Sequence, residues 1–146
     1  MPPDPELEAI SDRLGEVSES LGFTETGEIA ERREQLLREI NIAGGFDRDN
    51  QVHVDHLRAY QDIGRASFES NPRPEAAIGY HIAMARVWLE ADNPDGFYDY
   101  LYGYEDDPND RGAITMLRDN GLVDALEEVK GIVEYLESRN TNQPEA

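Results

Sequence analysis

The chain has 146 residues, 32 acidic side chains against 13 basic ones, no cysteine and 38% apolar residues, a length and balance that suit one folded domain. The absence of cysteine excludes disulfides, thiolate metal ligands and cysteine nucleophiles. A net charge of -19 argues against direct nucleic-acid binding, whose affinity rests on neutralising phosphates.

Leu7, Ile10, Leu14, Val17 and Leu21 recur at steps of three and four, which predicts an amphipathic first helix stopped at Gly22. A second helix is expected from Thr26 to Ala43, with Ile29, Leu36, Leu37 and Ile40 inward and Gly44-Gly45 ending it. A short turn between them predicts an antiparallel N-terminal helical hairpin over residues 1–45. A third helix over Gln51–Ser70 carries Leu57, Tyr60, Ile63 and Phe68, and Pro72-Arg73-Pro74 breaks it. From Pro74 to Glu90 the chain is apolar on nearly every side. A helix without a polar face belongs at the centre of a bundle, with Trp88 anchoring one end.

Asp92 or Asn93 is the expected cap of a fifth helix, Phe97–Tyr104, rich in tyrosine. An acidic loop (Glu105–Asp110), a short helix near Gly112–Asp119 and a last helix over Leu122–Ser138 follow. Residues 140–146 are expected to form a disordered tail. No segment alternates like a strand. The fold expected is all-α, a single-domain bundle of six or seven helices, with residues 46–139 as its helical core. No run is long and apolar enough to span a bilayer, and Met1-Pro2-Pro3-Asp4 lacks the features of a signal peptide, so the expected location is cytoplasmic.

The charge is uneven: residues 1–45 hold 11 acids and 4 bases, residues 46–90 hold 7 and 5, and residues 91–146 hold 14 and 4. One lysine stands beside twelve arginines. That acid-rich, lysine-poor composition resembles proteins of organisms with molar salt in the cytoplasm, where strong screening tolerates it. An acidic mimic of the DNA surface is the other reading of the charge.

Several residue groups carry possible chemistry. His53, His56 and His81 are a candidate for a three-nitrogen metal site. Arg48-Asp49-Asn50-Gln51-Val52-His53 resembles the Arg-x4-His motif of HEPN ribonuclease domains, which are small helical bundles. The resemblance implies an endoribonuclease in which Arg48 binds phosphate and His53 moves a proton. Tyr80, Ala83, Val87, Gly96, Tyr100, Gly103 and Pro108 resemble one tetratricopeptide unit, read here as generic packing of two helices. The Asp107–Gly112 stretch begins like a calcium loop, but Arg111 occupies a ligand position. Glu28, Glu31 and Glu34 resemble the paired carboxylates of helical nucleotide pyrophosphatases. They read better as a solvated face with Glu28–Arg32 and Glu34–Arg38 ion pairs.

The reading that follows is a non-catalytic helical interaction or assembly module without cofactor or resident metal, bound to a protein partner or to copies of itself. Its expected contact residues are Tyr98 and Tyr102 on the tyrosine-rich helix and the seam Leu7, Leu14 and Leu21.

Overall fold

A computed structural model describes residues 5–25, 27–103 and 112–142, the last four as backbone only. Its described residues form seven α-helices and no strands: α1 (Pro5–Ser20), α2 (Gly27–Ala43), α3 (Gln51–Glu69), α4 (Ala76–Glu90), α5 (Pro94–Tyr102), α6 (Gly112–Asp119) and α7 (Val123–Asn142). The protein is a single all-α domain, as its hydrophobic periodicities require.

The apolar helix α4 occupies the centre. Ten of its 15 residues are buried, Ile82, Met84 and Val87 completely, because no face of it can satisfy water. α1 and α5 lie along it, and α2, α3 and α6 also touch it. Its small residues let neighbours approach: a methyl added at Gly79 would sit 2.8 Å from the Ser18 carbonyl oxygen of α1. Ser18 Oγ donates to the Gly79 carbonyl at 2.8 Å across the same crossing. Trp88 is anchored edge-on against Phe46, ring centres 5.0 Å apart.

The expected N-terminal hairpin does not form. α1 packs on α4 and touches α7, whereas α2 packs on α3; among the described residues α1 and α2 make no comparable backbone approach. The cause lies in the link between them. Phe23, 1% exposed, is driven into the core against Tyr80 (ring centres 5.7 Å) and beside Gly64, so the chain crosses α4 instead of turning back along α1. A large apolar residue after Gly22 thus decides the topology.

Caps fix the other boundaries. The Asn50 side chain accepts from Val52 N–H at 3.0 Å to start α3, and the Asn93 side chain accepts from Gly96 N–H at 3.0 Å to start α5. α5 therefore begins at Pro94, with proline in its first turn, three residues before the expected Phe97. α4 and α5 form the one helical hairpin that the tetratricopeptide-like spacing suggested. α7 runs on to Asn142, so residues 140–142 are helical and not a disordered tail. The acidic loop 105–110, the calcium-like stretch before Gly112, Tyr104 and residues 143–146 lie outside the described residues. No described helix is long and apolar enough to cross a membrane.

Candidate functional site

His53 and His81 are put to structural use, and His56 is half-buried on α3. His53 is 1% exposed, with Nδ1 accepting from the Asp47 backbone N–H at 3.0 Å. Its Nε2 lies 3.2 Å from the Glu39 carbonyl, which can only accept, so Nε2 carries the proton. The ring stacks on Phe46 and ties the end of α2 to the loop before α3. Both nitrogens are thereby occupied, while Arg48 is exposed in that loop, so the two do not form the phosphate-and-proton pair that the HEPN resemblance implies. His81 on α4 donates from Nδ1 to the Ala77 carbonyl at 2.9 Å and meets the Tyr80 and Tyr100 rings. Among the described residues no three His, Asp or Glu side chains are placed to hold a metal ion.

The expected contact residues divide. Leu14 (0% exposed) and Leu21 (3%) are core, covered by the chain's own helices, which removes them as contact residues. The seam is apolar because α4 covers it. Leu7, two turns before Leu14, is only partly buried. Tyr98 and Tyr102, four apart on α5, stack with ring centres 6.0 Å apart, and Tyr102 remains 50% exposed. Partial burial, then the Glu137 carboxylate of α7, raises the phenol pKa of each above its ordinary value.

The principal site is one that the sequence reading passed over. Charged side chains bridge the space that the α1 and α2 backbones leave open. Arg33 on α2 donates from Nη1 to both Glu90 carboxylate oxygens at 2.9 Å. Its Nε lies 2.8 Å from Glu25 Oε2, but the N–H misses the oxygen, so neither buried atom has an aligned hydrogen bond. Arg86 on α4 donates from Nε to Ser11 Oγ of α1 at 2.9 Å and lies within 3.7 Å of both Glu90 and Glu25. Ser11 in turn donates to Glu90. Tyr60 of α3 reaches Glu25 Oε1 at 3.4 Å.

Two arginines and two glutamates thus neutralise one another beneath the surface, with side chains between 12% and 24% exposed. Burial works against the Arg33 charge, but Glu25 and Glu90 more than offset it and raise its pKa. Gly15 makes room for this bridge, since a methyl there would lie 2.7 Å from an Arg86 nitrogen. The ion pairs expected on α2, Glu28–Arg32 and Glu34–Arg38, do not close. Arg33 turns inward instead.

Hollows flank the bridge. One of about 530 Å³ lies between α1 and the end of α4, lined by Leu7, Glu8, Asp12, Leu89 and Asp92 among others. It shares Glu90 with a second hollow on α2, where Leu37, Arg38, Asn41 and Ile42 form the wall. It shares Asp12 with a third that runs along α1 past Glu16 and Glu19. Together they make a cleft walled by α1 and α2 and floored by α4. The usable signal in the sequence was Arg86 and Glu90, one turn apart and, His81 aside, the only acidic or basic residues of a largely apolar helix. Buried charges need partners, so this pair pointed to others folding over it.

In fold and site this is a single-domain helical protein with a charge-bridged cleft. Compared with known protein families, characterised proteins and solved structures, the chain matches none.

Proposed function

We propose that this protein is a non-catalytic helical interaction module that receives a protein partner in the cleft between α1 and α2. The observation that carries the reading is the apolar lip of the cleft. Ile42 is 76% exposed beside half-buried Leu37, and Leu7 and Leu89 face the adjoining hollow. Large apolar side chains clustered around a groove mark recognition surfaces more than isolated exposed ones do. The ionic bridge suits this role, because its charges satisfy one another and tie α2 and the link after α1 to α4. The Tyr98–Tyr102 stack, in which Tyr102 is half exposed and Tyr98 partly buried, is a second contact surface in this reading, since amphipathic aromatics anchor interfaces at low entropic cost. A protein other than a second copy is the better partner, because a second copy would bring like carboxylates against the acidic face of α1.

The test is retention of host proteins from lysate in molar KCl by wild type, Ile42→Asp and Leu89→Asp, with helicity checked by circular dichroism. Proteins held by wild type and released by both folded variants are expected. An unchanged set of retained proteins would refute the cleft as the contact surface.

A further inference from the structure

We infer that the occupant of the cleft is an amphipathic helix carrying a row of lysine or arginine along one edge. The inference rests on the interaction-module reading and names the chemistry of its partner. Four carboxylates, Glu8, Asp12, Glu16 and Glu19, follow one another along α1 at steps of four, four and three, all of them lining the cleft. Like charges one turn apart destabilise a helix. Of the four, Asp12 reaches a cation, Arg86 at 3.6 Å, while its side chain stays 77% exposed. Among the described residues Glu8, Glu16 and Glu19 have no ion-pair partner. The one arginine of α1, Arg13, turns away to Glu128 of α7 at 2.7 Å.

Asp92 extends the ridge at the end of α4. It sits at φ 56°, where glycine is the easy residue, and places a carboxylate next to Glu90 at a helix C-terminus, where the helix dipole disfavours anions. The opposite wall differs: Leu37 and Ile42 are apolar there, and the cationic Arg38 stands with Glu34 instead of an unbroken row of carboxylates. A groove acidic along one wall, crossed at its floor by the ionic bridge and apolar at Leu7, Leu89 and its far lip complements a helix whose apolar face is bordered by cations on one side. Side chains three and four apart on such a helix meet Leu7, Leu89 and Ile42 while its basic edge lies along α1.

The probe is a synthetic helix of about 14 residues, built of leucine, alanine and lysine with leucine at helical spacing and lysine along one edge. A permuted peptide of the same composition lacks that spacing. Binding is measured by fluorescence anisotropy in 0.5 M KCl, about the salt at which free surface attraction is strongly screened. Glu8→Lys/Glu16→Lys is expected to weaken binding by about tenfold or more. Asp62→Lys/Glu69→Lys on α3, which makes the same change in net charge, is expected to weaken it by less than about threefold. Equal weakening by both pairs, or equal binding of the permuted peptide, overturns the inference. If Ile42→Asp releases the lysate partners while the α1 pair leaves peptide affinity unchanged, the basic-edged helix is wrong and the cleft stands. If Ile42→Asp and Leu89→Asp release nothing, the module reading falls with it.

Discussion

Glu25, Arg33, Arg86 and Glu90 show how a buried charge is tolerated. Removing each from water costs several kcal/mol, and only mutual attraction together with hydrogen bonds offsets that loss. Their contribution is therefore chiefly to geometry: they fix how α1 and α2 stand on α4. Tyr60, fully buried beside this group, gives the clearest pH signature. Burial first, then the Glu25 carboxylate, pushes its pKa well above the ordinary value, and burial does the same for Tyr80. In the unfolded chain both phenols ionise near about pH 10. Below that pH their contribution to stability is complete, and it is lost as pH rises toward the folded-state pKa values. The melting temperature should therefore fall steeply above about pH 10. Tyr60→Phe should lose about 1 kcal/mol at neutral pH, through the lost contact with Glu25, and show a shallower alkaline decline. Parallel alkaline slopes in wild type and variant would disprove this account.

At the scale of helices, what the sequence disclosed and what it hid can be separated. Local signals placed α6 at its observed boundaries, made α4 central and put α5 against it, because periodicity, caps and glycines act within a few residues. Pairing of α1 with α4 was not legible, since the seam Ile10, Leu14 and Val17 is equally compatible with any apolar neighbour. Phe23, far from its contact Tyr80 in sequence, made the choice. The cleft was hidden for the same reason: Glu25, Arg33 and Glu90 are separated along the chain and meet only after folding. Close crossing of α1 and α4 gives a direct test. Gly79→Ala should destabilise by roughly 1–3 kcal/mol, because backbone of α1 stands where the methyl must go. Gly131→Ala, in the exposed middle of α7 with nothing near the added carbon, should stabilise by about 0.5–1 kcal/mol. Urea midpoints for the two alanines that shift in the same direction would contradict the packing described.

For the whole molecule the dominant quantity is its charge. At -19, repulsion among surface carboxylates opposes the compact state, and added salt weakens it. The melting temperature should climb as KCl is raised from about 0.1 M toward 2 M, the range over which the Debye length shrinks from about 10 Å to below 3 Å. A flat or falling curve would mean that the carboxylates are far enough apart not to matter. Sequence alone determined that this chain makes helices, that the Ala76–Glu90 stretch is their common support and that the surface is strongly acidic, because composition and short-range spacing control each of these. Tertiary structure alone decided which helices meet, that His53 is a clasp and that four distant charges meet beneath the surface, because burial brings together residues whose separation along the chain carries no record of their contact.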